Sequence, residues 1–181
     1  NEYYNLKTLL GLLKRNHLIS QSSTSFSEKL LSEVRTKQEQ ITKDFYKQYK
    51  TLRFELINDI RYHNPEIHVE TVVEKAQKII DRIIFIHFCE DKGLLPEGKL
   101  KTNVIRAREA DFSPWDVLKK YFKWVDSGSE KLEIPHGYNG GLFHNDPVLN
   151  DLEIGDAICR KFIDLGKYNF DDELSVNILG H

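Results

Sequence analysis

Four groups of residues have types and spacings that could do chemistry. Glu90-Asp91-Lys92, with Asp81 nine residues upstream of Glu90, resembles half of a metal-dependent nuclease site. There, two carboxylates hold a divalent ion that activates water, and a lysine stabilises the developing charge. His136, His144 and Asp146 offer metal donors, in a spacing that matches no standard site. Asn64-Pro65-Glu66-Ile67 begins like an adenine-methyltransferase tetrad but lacks the second proline and the aromatic that stacks on a flipped base. Gly137-Tyr138-Asn139-Gly140-Gly141-Leu142-Phe143 is a glycine box flanked by aromatics that look like anchors. It lacks the G-x-G-x-x-G order of a phosphate cradle, and Asp146-Pro147 interrupts any following helix as a turn.

None of these sets is complete. Nuclease carboxylates sit at strand ends in a sheet, whereas the pattern around Glu90 is helical and capped immediately after Lys92. A charged last turn is ordinary, and Lys92 there suits the helix dipole. Loop histidines beside a turn are commonly solvated, and His87, inside an apolar run, reads as a satisfied core histidine. No residue is therefore expected to be catalytic and no metal site is expected. The remaining functional candidate is a basic stripe, Lys43, Lys47, Lys50 and Arg53, with Tyr46 nearby. Such a stripe can follow a phosphate backbone without reading sequence. Its bland counterpart is a lysine-solvated helix face.

Helices must position these groups. Ser25 and Glu28 have capping-box spacing. From there Leu30, Val34, Ile41, Phe45, Leu52 and Leu56 share one face at about 100° per residue, with the lysines opposite. One long helix is expected to about Tyr62, broken at Asn64-Pro65. A second, from about Ile67 to Lys92, carries Val72, Val73, Ala76, Ile79, Ile80, Ile83, Ile84 and Phe88. Its apolar end, Ile83–Phe88, admits a buried strand, but Gly93 stands where a left-handed C-cap glycine belongs and Pro96 prevents continuation. Leu94 is expected to fold back on Cys89 or Phe88. Ser113-Pro114-Trp115-Asp116 is a helix start, with serine as N-cap and proline at the first helical position. That helix stops near Ser127-Gly128. A short one runs from Asp156 to Leu165 and ends at Gly166.

The expected fold is all-α: an irregular bundle around a buried central helix, with a loop-rich C-terminal segment. Residues 1–24 read as a short helix and a Ser/Thr-rich loop, 25–128 as the bundle core, and 129–181 as the glycine box and an acidic segment. The 181 residues carry a net charge of −2, so no overall basicity advertises nucleic acid. Charge is uneven, however, with six basic residues from Arg35 to Arg53 and eight acids from His144 onward. One face for a polyanion and another for a partner would suit that split. Cys89 and Cys159 lie in apolar contexts, a reduced intracellular pattern. No run is long enough to span a bilayer, so the cytoplasm is the default and no membrane partner is expected. The sequence begins at Asn1, so it reads as an interior or trimmed fragment.

Three segments together resemble a known family: Ile41–Lys47, Ala76–Phe88 and Glu90-Asp91-Lys92-Gly93-Leu94-Leu95-Pro96. They look like the helical region of single-chain bacterial type IIG/IIL restriction-modification enzymes and related phage-defence adenine methyltransferases. The box Tyr138-Asn139-Gly140-Gly141-Leu142-Phe143 and the ending Leu174–His181 resemble that family's lead-in to its methyltransferase domain. The resemblance covers roughly residues 41–181, apart from about 98–133. It implies a helical connector between a nuclease and a DNA adenine-N6 methyltransferase. The parent would be an enzyme, with DNA as substrate and with AdoMet and Mg in the flanking domains rather than in this segment. The alternatives are a metal-dependent nuclease fragment using Asp81, Glu90 and Lys92, or a stand-alone docking module that uses the acidic C-terminal segment.

Overall fold

A computed structural model describes residues 25–134, 137–138 and 140–169. The expected N-terminal helix and loop, His136, Asn139 and the Leu174–His181 ending lie outside the described residues. The fold is all-α. Its helices are α1 (Phe26–His63), α2 (Val69–Asp91), α3 (Lys99–Glu109), α4 (Pro114–Ser127), α5 (Pro147–Asp151) and α6 (Asp156–Asp164). Two short 3-10 turns, Glu130–Leu132 and Leu165–Lys167, complete the described order. Residues up to Lys43 belong to one compact unit and those from Asp44 onward to a second, the division falling inside α1.

In the first unit the capping box forms as its spacing requires. The Glu28 amide donates to Ser25 Oγ at 3.2 Å, and the Ser25 amide donates to the Glu28 carboxylate at 2.6 Å. These bonds hold the Glu28 carboxyl below its ordinary value.

The second unit contains the core. The α1 face supplies Phe45, Leu52, Leu56 and Ile60, all buried. Helix α2 buries Val72, Ala76, Ile79, Ile80, Ile83, Ile84 and Ile86, so the β-branched run is helical and not a strand. Its end is a Schellman motif. Gly93 takes φ +66°, its amide donates to Glu90 O at 3.0 Å, and the Leu94 amide donates to Cys89 O at 2.8 Å. The backbone folds back as expected, but Leu95 is the side chain it buries (2% exposed), while Leu94 stays 52% exposed.

Helix α3 has no counterpart in the sequence reading. Leu100, Val104 and Ala107 are its buried positions, at helical spacing. Its N-terminus is served from a distance: Glu90 accepts from the Leu100 amide at 2.9 Å and from the Gly98 amide at 3.2 Å. A carboxylate on those free amides also suits the dipole. Helix α4 starts as expected, with Ser113 Oγ accepting from the Asp116 amide at 3.3 Å. Asp146-Pro147 is a helix start rather than a turn, because Asp146 caps α5 through the Leu149 amide at 3.1 Å.

Two clamps fix the ends of α1 and α6. Asn64, read above beside a methyltransferase tetrad, is buried and spends its amide on the backbone. It donates to Ile60 O and Glu153 O and accepts from the Glu153 amide, at 2.8, 2.9 and 2.9 Å. His87 is the core histidine expected, with Nε2 2.9 Å from Phe162 O. Helix α6 ends at Asp164 with Leu165 as its cap, within a residue of expectation, and Gly166 follows the cap. That glycine lies in the following 3-10 turn, where a Cβ would sit 2.5 Å from the His87 ring.

Burial holds the His87 pKa below its ordinary value, opposed by its bond to Phe162 O and by Asp91. The unfolded chain therefore takes up a proton that the folded protein refuses. Stability should be full above about pH 6.5 and fall as pH drops toward the folded value. His87→Gln keeps a donor for Phe162 O without a titrating ring. Denaturant unfolding at about pH 7.5 and about pH 5.5 should show the wild type losing stability relative to this variant on acidification.

Candidate functional site

The glycine box is built onto α2 by charge and by aromatic rings. Three α2 cations, Lys75, Lys78 and Arg82, recur at helical spacing and share one side of the helix. Arg82 is only 3% exposed. Its Nε donates to Leu142 O and its Nη2 to His144 O, both at 2.9 Å. The guanidinium carbon lies 5.3 Å from the Phe122 ring centre and 5.5 Å from that of Phe143. Both rings are within cation–π range. Burial lowers the Arg82 pKa, while Asp146 and Asp126 oppose the change.

The two lysines converge on one carboxylate. Lys75 Nζ lies 3.0 Å and Lys78 Nζ 2.9 Å from Asp146 Oδ2. Burial works against the Asp146 charge, but Lys78, Lys75 and the Leu149 amide outweigh it and hold this carboxyl well below the usual carboxylate range. The Lys75 pKa is raised, chiefly by its hydrogen bond to Glu74 and then by Asp146. Asp146 is thus committed to two ammonium groups and a helix cap, and its partner in the metal reading, His144, is exposed.

The box glycines have separate reasons. A Cβ on Gly137 would fall 1.9 Å from Asp126 O, so only glycine lets this strand of chain approach the end of α4. Gly141 takes φ +79°, whereas Gly140 has open space around it. The Tyr138 amide donates to Val125 O and its hydroxyl to Leu94 O, both at 2.8 Å. Phe85 of α2 meets the rings of Tyr138 and Phe143 at centroid distances of 5.8 and 5.4 Å. Tyr138 therefore joins the box directly to the Gly93–Pro96 helix stop.

The nuclease set is taken apart by its helix. Asp81 and Glu90 lie on opposite sides of α2, roughly 13 Å apart along its axis. Glu90 faces α3, and burial pushes its carboxyl upward against the Leu100 and Gly98 amides. Asp81 accepts from Gln77 Nε2 at 2.8 Å, and burial raises its pKa too, opposed by Gln77 and Arg53. Lys92 Nζ lies 6.0 Å from the Phe88 ring centre. Among the described residues, no group of three or more His, Cys, Asp and Glu is placed to hold a metal ion. Cys89 and Cys159 are buried free thiols, pushed up to about 11 and about 12 by burial.

The basic stripe is not uniform. Lys43 is exposed in the first unit, and Lys47 and Lys50 are exposed in the second. Arg53 is half-buried, and its Nε donates to Gln77 Oε1 at 2.9 Å, beside the Tyr49 hydroxyl. Three residues past Lys50 the helix has turned toward its buried side, so Arg53 braces α1 against α2. Among the described residues, no helix is long and apolar enough to cross a membrane.

What these residues define is an all-α domain whose polar groups are spent on a charged corner, with free cations on one outer helix face. No protein family, curated protein or solved structure matches this chain.

Arg82→Met keeps most of the apolar stem but takes the donor from two part-buried carbonyls. It should lower the unfolding free energy by about 2–4 kcal/mol. Arg82→Lys should recover only part of that, since an ammonium cannot span both carbonyls and two rings. Urea titrations of the three proteins check both expectations.

Proposed function

We propose that this chain is the helical connector of a DNA restriction-modification protein. Its role is to hold nuclease and adenine-N6 methyltransferase modules at fixed geometry, with AdoMet and Mg bound in those modules. The observation that carries this reading is the direct bond between the two segments whose pairing gives the resemblance its specificity. Tyr138 of the glycine box donates to Leu94 of the Gly93-Leu94-Leu95-Pro96 stop, at 2.8 Å. The box sits about 45 residues downstream of that stop, and Arg82 clamps it to the same helix.

A connector transmits geometry only if it is stiff. Stiffness here is supported by the buried guanidinium, the double lysine pairing of Asp146 and the backbone approach at Gly137. Fixed spacing is what an enzyme needs in order to act at a set distance from the site it recognises. DNA would be held against the exposed ammonium groups of Lys47 and Lys50, both in the second unit. These groups meet phosphates and carry no sequence information. Arg53 contributes less than its position in the stripe suggests, because its Nε is already engaged.

Binding of the chain to a fluorescent duplex should be weak, independent of sequence and steeply salt-sensitive. The double variant Lys47→Ala/Lys50→Ala should flatten the slope of log affinity against log salt by about 1.8, two phosphates' worth. Arg53→Ala should instead show mainly as lost stability. An unchanged slope in the double variant would remove DNA contact from this face and leave a spacer alone.

A further inference from the structure

The outer face of α1 in the second unit carries more than lysines. Phe54 is 67% exposed and Tyr62 is 81% exposed. Lys47, Lys50, Asn58 and Arg61 are exposed as well. At about 100° per residue, positions 47, 50, 54, 58 and 61 fall within a band of about 80°, with Tyr62 at its edge. The band runs roughly 21 Å along the helix. Phe54 sits between cations, Lys47 and Lys50 before it and Arg61 after it.

No acid interrupts the band. Of the flanking carboxylates, Asp44 stands one turn before Lys47 at the band's edge, Glu55 pairs with Lys161 at 2.7 Å, and Asp59 accepts from the Gly155 amide at 2.8 Å. Lys47, Lys50 and Arg61 make no ion pair among the described residues. The Tyr62 ring is steadied edge-on by His63, with centroids 5.0 Å apart.

Cations without acids select a polyanion, and flat exposed rings select something with free π faces. Duplex DNA offers the first only, since its base faces are stacked inside the helix. A single strand offers both. We infer that this face binds single-stranded nucleic acid in preference to duplex, with Lys47, Lys50 and Arg61 on phosphates and Phe54 and Tyr62 each under a base. This rests on the phosphate contact proposed for Lys47 and Lys50, and it adds the strand form that the face selects.

Fluorescence anisotropy of the whole chain tests it with three probes of equal length: an oligo(dT) strand, a duplex and an abasic strand. Wild type should bind oligo(dT) more tightly than the other two. Phe54→Ala should weaken oligo(dT) binding roughly 5- to 100-fold, the worth of one base–aromatic stack. It should leave duplex and abasic binding within about twofold, because the phosphate contacts persist. Phe54→Trp should restore the preference and Phe54→Leu should not, which separates stacking from simple apolar contact. Circular dichroism checks that these surface variants stay helical.

Equal wild-type affinity for abasic and base-bearing strands would overturn the inference. So would an unchanged affinity in Phe54→Ala. If that null result came with lost duplex binding in Lys47→Ala/Lys50→Ala, the connector's phosphate contact would stand and only the strand preference would fall. If no probe bound at low salt, both would fall together. A drop in sedimentation mass on Phe54→Ala, without any change in strand binding, would assign the face to a second copy of the chain instead.

Discussion

A guanidinium withdrawn from water must find acceptors for its N–H groups, and those acceptors must stay where they are. Arg82 meets this constraint with the carbonyls of Leu142 and His144 and with the rings of Phe122 and Phe143. The consequence runs in both directions. The glycine box cannot leave without stranding a buried charge, and α2 cannot rotate without losing the box. Lys75 and Lys78 extend the same row and bind Asp146, which then starts α5. One face of one helix thus sets the path of the chain from residue 142 to residue 151.

Around that row, most polar side chains with a catalytic look serve the backbone. Glu90 supplies acceptors to amides at the start of α3. Asn64 spends its amide group on the 153 peptide and on Ile60. Asp59 holds the Gly155 amide, and Trp115 Nε1 donates to Leu152 O at 2.7 Å. Carboxylates and amides at these points hold loop backbone that no sheet or helix ladder serves. These side chains therefore point to separate stretches of backbone and do not converge on one another.

Local signals were legible in the sequence because they act over three or four residues. Ser25 with Glu28, Ser113 before Pro114, and Gly93 after α2 each formed the cap that its spacing implied. The apolar face of α2 formed too, and that of α1 from Phe45 onward, whereas Val34 is exposed and Leu30 and Ile41 are only half-buried. What stayed hidden depends on residues far apart in the chain. Helix α3 is short, and its end is served by a glutamate from the preceding helix, so no serine or aspartate marks its start. Asp146-Pro147 is the exception: its cap on the Leu149 amide is as local as that of Ser113-Pro114, and only its two lysines lie about 70 positions away. Gly166 follows the cap of α6, but nothing local reveals the His87 ring against it. Arg53 shares its spacing with the lysines, but the helix turns it toward Gln77 and the buried side. A single aromatic such as Phe54 off the apolar face is ordinary in a sequence, and only its cationic neighbours give it meaning.

The central claim is that the glycine box and α2 form one cooperative body. Native-state hydrogen exchange measures this residue by residue. The amides of Tyr138 and Leu149, bonded to Val125 O and to the Asp146 carboxylate, should exchange with the same opening free energy as Ile80, Ile83 and Ile84 within α2. Exchange of the box amides by local opening, several kcal/mol more easily than α2, would contradict a rigid connector and leave the box a loosely attached loop.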